Sequence, residues 1–266
     1  MIRSLCFWGL LILGVLVAGA AMAPWLSAAD PAEIRLEQAL LPPGREHPLG
    51  TDQLGRDLLS RMLYGARVSL AVGFAAVGLA TLVGVGVGTV AGTLGGSVDW
   101  LAMRTVDVML CFPTLFLILA AVAFLEPGLF PIMGIIGLTG WMGVARLVRA
   151  EMLSLKEREF VLAARAIGCS PARLMFRHLL PNAMPPIVVS ATLGIGSAIL
   201  IESGLSFLGI GIQPPTPSWG NILSEGKATL GVAWWLTVCP GLAIFLTVLG
   251  CHLLGEGLRR RWRGLS

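Results

Sequence analysis

Asp107 and Glu202 are carboxylates inside long apolar stretches, Asp107 within 101–125 and Glu202 within 183–208. A carboxylate in such a stretch is costly, and it persists where it pairs, hydrogen-bonds across helices or marks a pathway. Asp107 lies one helical turn beyond Arg104, so a local pair on one helix face would hold it. Glu202 precedes the glycine-punctuated stretch 203–209 and stays open to two readings. It is either an interhelical hydrogen-bond partner near the outer interface or a pathway or gate residue. One acid in each stretch is too few for a proton relay.

Other chemistry is thinly represented. His47, His178 and His252 are scattered, with no H-E-x-x-H spacing. The five cysteines (Cys6, Cys111, Cys169, Cys239 and Cys251) include no C-x-x-C pair, and four lie in apolar runs where Cys acts as a small hydrophobe. Neither a disulfide framework, a zinc site nor a nucleophile–base set is indicated. Gly226-Lys227 is followed by Ala228 and preceded by no phosphate loop, so nucleotide hydrolysis is not expected on this chain. Gly86-Val-Gly-Thr-Val-Ala91 formally fits G-x-G-x-x-A, but that motif requires a strand before it and a helix after it. Gly84, Gly88, Gly92 and Gly96 instead recur every fourth residue, a small-residue ridge for close helix packing.

The elements that must position these residues are membrane helices. Of 266 residues 56% are hydrophobic and 13% charged, and mean hydropathy is +0.83. A soluble domain carries about 25% charged residues. Apolar runs fall at 5–26, 68–96, 101–125, 129–145, 183–208 and 230–254. Each approaches the roughly 20 helical residues that a bilayer core requires. The first reads as an uncleaved helix, because Pro24 follows Ala21-Met-Ala23 directly where cleavage would fall. Short surface helices are expected over 33–40 and 58–63. Thirteen of the 19 Lys and Arg fall on the inner side if both termini are cytoplasmic, including Arg259, Arg260, Arg261 and Arg263. The net charge of +4 follows from this topology, and no nucleic-acid partner is indicated. The expected architecture is an all-α membrane protein of six transmembrane helices, N-in and C-in. Residues 1–66 form a first helix plus an extracytoplasmic segment. Residues 67–266 form the transmembrane domain, with an inner loop over about 146–182.

Within that loop Phe160, Ala163, Ala164 and Ile167 recur at i, i+3, i+4 and i+7, one face of a short helix. Gly168 is expected to end it, Ser170-Pro171 to start another, and Pro181 to stop that one. The exposed apolar face suits either a lipid surface or a groove on a cytoplasmic partner. Its alanines make it shallow, which favours close protein contact.

Leu162-Ala-Ala-x-x-x-Gly168, then nine residues, then His178-Leu-Leu-Pro181 resembles the E-A-A-x-x-x-G-x9-I-x-L-P loop. That loop marks permease subunits of binding-protein-dependent ABC importers. Leu162 stands where the family usually has Glu, and His178 where it usually has Ile. His47-Pro-Leu-Gly-Thr-Asp-Gln-Leu-Gly-Arg-Asp-Leu-Leu-Ser-Arg61, continuing to Leu70, resembles the peptide/nickel importer permeases of the "C" type. So do 205–221 and Gly255-Glu-Gly-Leu-Arg259. The resemblance covers nearly the whole chain.

It implies the type I ABC importer transmembrane domain, a transport subunit rather than an enzyme. The implied contacts to the ATPase are Glu159, Phe160, Ala163, Ala164, Ile167, Gly168, Leu180 and Pro181. The implied partners are a second homologous permease, two cytoplasmic ABC ATPases and an extracytoplasmic binding protein, in the lipid bilayer of the inner or plasma membrane. ATP and Mg would sit on the ATPases, leaving this chain without a cofactor or metal. Dipeptides or oligopeptides are the expected cargo, with nickel or a nickel chelate as the alternative. A self-contained secondary transporter is a remote third reading, since paired acids and an inverted repeat are not seen.

Overall fold

The computed structural model describes residues 2–27, 29–125 and 128–263. Helix α1 (Ile2–Ala21) is followed by the four-residue α2 (Ala23–Leu26), which Pro24 opens in the first turn, where no intrahelical donor is lost. The helix expected over 33–40 shrinks to one 3-10 turn, Leu36–Gln38. Its flanking donors are spent elsewhere: Arg35 N–H reaches Leu54 O and Leu40 N–H reaches Asp52 O, each at 3.0 Å.

Asp57 caps α3 (Leu58–Leu94) by accepting from the Ser60 N–H at 2.8 Å. The 37 residues of α3 make a rod of about 55 Å, longer than the ~30 Å core of a bilayer. Residues 58–63, expected as a short helix leading into the second span, are its opening turns.

The third apolar run is not one straight span. It divides into α4 (Gly96–Leu110) and α5 (Thr114–Ala123), bent by 83°. Pro113 lacks the N–H that would continue the ladder, and it disfavours helix at Phe112 before it. Among the described residues five helices are long and apolar enough to cross a membrane alone, or six spans with the bent pair taken together. After α6 (Leu129–Lys156) come α7 (Glu159–Ala166), α8 (Pro171–Arg173), α9 (Leu180–Phe207), α10 (Trp219–Gly226) and α11 (Trp235–Arg263). α6 outruns its apolar stretch, so Arg146 and Arg149 lie in the helix rather than in the loop.

Helices α3, α6 and α9 form the centre. Val72 and Ala76 of α3, Ile118 of α5, Ile135 and Ile136 of α6, and Ala198 and Leu205 of α9 share one buried cluster. The glycine ridge sets the α3–α6 approach. A Cβ on Gly84 would stand 2.6 Å from Val144 Cβ, one on Gly88 2.5 Å from Ala145 O, and one on Gly92 2.6 Å from Met152 Cβ. Gly96 falls outside the ridge, beyond the end of α3. The G-x-G-x-x-A reading is excluded, since no strand precedes it within this helix. α1 packs on α11 at the periphery, and its Phe7, Trp8, Leu10 and Val15 point outward as a lipid-facing stripe.

Candidate functional site

At one end of the bundle the 157–179 segment folds as a helix, a tight turn and a second winding. α7 ends in a Schellman motif: Gly168 takes φ +80°, its N–H bonds Arg165 O at 3.0 Å, and Cys169 N–H bonds Ala164 O at 3.1 Å. A side chain is strained at that φ, which is why the turn falls on glycine. Ser170 Oγ then accepts from Arg173 N–H at 3.4 Å, and Pro171 opens α8. Pro181, expected to stop this helix, does not. The chain winds as a π-helix over Leu174–Leu179 and runs directly into α9. The wider π turn relieves the clash of a proline ring with the carbonyl one turn back.

The expected apolar face divides. Phe160, Ala163 and Ile167 point outward, Ile167 at 87% exposure, with Leu162 beside them. Ala164 turns inward with Val161 onto Val148, Met152, Leu174 and Leu179. It braces the loop against the bundle instead of standing on the outward face. Glu159, Gly168 and Pro181 are exposed, and Leu180 is half-buried against the same cluster.

Between α3, α5, α6 and α9 lies a cleft of about 220 Å³. Its lining is alanine, glycine and branched aliphatics, with hydroxyls at Thr81, Thr114, Thr139, Ser190 and Ser197 and no ionisable side chain. Among the described residues the buried Thr81 Oγ1 finds no hydrogen-bond partner. Neither Asp107 nor Glu202 lines this cleft.

Asp107 does not pair with Arg104. It accepts from Arg146 Nη2 of α6 at 2.5 Å, while Arg104 sits over the Trp100 ring at 5.8 Å. A second bridge joins the same helices, Arg149 Nη2 to Asp99 Oδ2 at 2.6 Å. Glu202 is fully buried where α9 meets α3. It accepts from Ser206 Oγ at 2.8 Å, Ser69 Oγ at 3.3 Å and Ser203 Oγ at 3.4 Å. Two of those hydroxyls accept in turn from backbone: Ser69 Oγ from Trp219 N–H at 3.2 Å, Ser206 Oγ from Ile212 N–H at 3.1 Å.

A cluster that sequence reasoning did not assemble lies at the α10 end. Arg56 Nε donates to Asp52 Oδ2 at 2.6 Å. Arg61 bonds Asp52 and grips Glu225 with both Nη atoms, at 2.5 and 2.8 Å. Asp52, Arg56 and Arg61 are all buried. Nearby, His47 bridges Asp57 at 2.9 Å and Gln38 at 3.2 Å, and Trp235 Nε1 donates to Thr51 O at 3.0 Å. The 47–61 stretch is thus a brace that ties the segment before α3 to α10 and α11. Its four charges balance, and removing one partner of such a buried pair costs about 3–5 kcal/mol. The charges of 52–61 were visible in the sequence, but Glu225 stands far along the chain with no local signal. Among the described residues no three His, Cys, Asp or Glu come together as a metal site.

An apolar helical bundle with an uncharged internal cleft at its centre and an apolar knob at one end has the build of a membrane transport component. Residues 84–264 match the family described as binding-protein-dependent transport system inner membrane component, and the chain belongs to that family. It is 43% identical over 257 residues to the dipeptide transport system permease protein DppC of Alkalihalophilus pseudofirmus, covering 97% of this chain and 84% of that protein. It is 42% identical to the di/tripeptide transport system permease protein DppC of Pseudomonas aeruginosa, over 94% of this chain and 85% of that protein. It is 39% identical to the oligopeptide transport system permease protein OppC of Bacillus subtilis, over 97% of this chain and 84% of that protein. A chain of the inward-facing MetNI methionine ABC transporter shares the fold, with TM-score 0.59 at 18% identity over 77% of this chain and 96% of that one. The chain is therefore a multi-pass transport component with the ABC transporter transmembrane fold.

Proposed function

We propose that this chain is one permease subunit of an ATP-driven importer of dipeptides or oligopeptides in the cell's inner or plasma membrane. The observation that carries this reading is the 39–43% identity to peptide permeases along nearly the whole chain. A second, homologous permease completes the pathway, and an extracytoplasmic binding protein delivers the peptide. Two cytoplasmic ABC ATPases carry ATP and Mg. The α7 end is cytoplasmic, with both termini on that side. The basic residues of 146–177 and 259–263 support this orientation.

Phe160, Leu162, Ala163 and Ile167 form a low apolar knob for a groove on the ATPase, and Ala164 and Val161 hold it against α6. ATPase closure pushes the knob, and the spans tilt to switch access. The cleft between α3, α5, α6 and α9 contributes this chain's share of the path. Its hydroxyls suit the amide groups of a peptide main chain, whatever its side chains.

Deleting the chain in its host tests the reading. Uptake of a labelled dipeptide or oligopeptide is expected to fall to background and to return with the wild-type chain. Loss of nickel uptake with peptide uptake intact would transfer the chain to metal import. Topology is tested by thiol labelling of intact cells. Cysteines placed at Ser27 and Lys227 should react with an impermeant reagent, and one at Ser170, with Cys169 removed, should not.

A further inference from the structure

The loop has two arms, and they differ in build. On one side α6 runs 28 residues to Lys156, with its single proline, Pro131, in the first turn. Over its second half α6 lies almost backbone to backbone on α3 at Gly84, Gly88 and Gly92. Arg146 and Arg149 bind it to Asp107 and Asp99 of α4. Val161 and Ala164 of α7 pack on its Val148 and Met152, joined by Leu174 and Leu179, so α6, α7 and the π winding form one lever, which the proline segment touches through Ala183.

The other arm is weakly laddered. The π winding of Leu174–Leu179 is followed at once by Pro181, Pro185 and Pro186. Half of the residues 181–186 have no N–H, so the carbonyls of Arg177, Pro181 and Asn182 lose the donor a regular α-helix would supply. Asn182 Nδ2 donates to His178 O at 2.6 Å, which leaves those three carbonyls as they were. Bends in helices concentrate at proline and at π-bulges. The segment also has room to move: a cavity of about 680 Å³ between α6, α9 and α11 is lined by Pro185 and Pro186, with Glu151, Arg259 and Trp262 on its far sides. At the other end of α9, Glu202 and its serines anchor the helix to α3 and α10.

We propose that residues 181–186 are the hinge of the coupling stroke, on which the α6–α7 lever turns against an anchored α9. The proposal rests on the loop being the element that meets the ATPase. Pro185 and Pro186 are positioning residues here, acting through the backbone they leave unbonded.

The test uses the assembled complex in lipid nanodiscs, on a cysteine-free background that retains wild-type uptake. Spin labels at positions 165 and 200 span the hinge, and labels at 138 and 165 lie within the lever. Trapping the ATPases with ATP and vanadate should change the 165–200 distance by several ångström and leave the 138–165 distance unchanged. The reverse pattern, or two unchanged distances, overturns the proposal. The Pro185→Ala/Pro186→Ala variant should narrow the change and cut peptide moved per ATP hydrolysed several-fold, while ATP hydrolysis continues. A wild-type ratio in that variant also overturns it. If the double variant fails to assemble, the wild-type distances decide alone. A wild-type complex that hydrolyses ATP without moving peptide would sink the cargo reading, and the distances would still judge the hinge.

Discussion

Glu202 illustrates how a buried carboxylate holds a helix junction. Its oxygens accept from Ser69, Ser203 and Ser206, and two of those hydroxyls accept from Trp219 and Ile212 N–H groups. The serines of α3 and α9 thereby point their protons at one acceptor and their lone pairs at the backbone around α10. Glu202→Gln keeps the shape and one carbonyl acceptor, so uptake should fall little and equally for cationic and neutral peptides. Selective loss of cationic peptides would restore a pathway role for the charge. Glu202→Leu leaves hydroxyls without an acceptor, at about 1–3 kcal/mol for each buried group left unsatisfied. Its thermal unfolding temperature in detergent should drop clearly below that of Glu202→Gln. The sequence made the acid visible but not its partners, because Ser69 lies on another span. Asp107 taught the converse: its sequence neighbour Arg104 was at hand, yet Arg146 across the helix interface holds it.

At the scale of elements, the glycine ridge was legible except at its end, where Gly96 lies beyond α3, because a four-residue repeat of small side chains has one physical use inside a membrane helix. Gly84, Gly88 and Gly92 meet α6, whereas Gly86 on another face of α3 has open space where a Cβ would stand. This contrast makes a sharp test. Gly88→Ala drives a methyl to 2.5 Å from a backbone oxygen of Ala145, which cannot step aside alone. Overpacking of this kind costs about 1–3 kcal/mol, so the variant should show lower folded yield and a lower unfolding temperature. Gly86→Ala should match wild type in both measurements, and equal damage from the two would refute the packing account. The broken third span was not legible as a break. Hydropathy counts Pro113 as one residue among many apolar ones, but the missing N–H decides the path of the backbone. Pro181 erred in the opposite direction, since the π turn before it absorbed what would otherwise have ended a helix.

For the whole molecule, the question is how force applied at one end reaches a path at the centre. The α10 end is locked twice, by the Glu202 serines and by the Asp52–Arg56–Arg61–Glu225 brace. The α7 end presents its apolar knob on a helix that is packed on one side only. Such a division suits a part that is pushed from the α7 end and pivots below a fixed rim. Periodicity placed Ala163 and Ala164 on one face, and the fold separates them by the rotation of a single residue. That separation allows stability and coupling to be told apart by neighbouring substitutions. Ala164→Arg would force a charge among Val148, Met152 and Leu179, so the loop should unpack and the chain should lose folded yield. Ala163→Arg places the same group in water, so folding and insertion should remain normal. On the proposed docking, however, it would fill the groove that receives the knob. Transport should then be lost, with less ATPase recovered when this chain is purified under mild conditions. Full ATPase recovery and normal uptake in Ala163→Arg would show that the knob is not the contact, and the force would have to enter elsewhere on the α7 end.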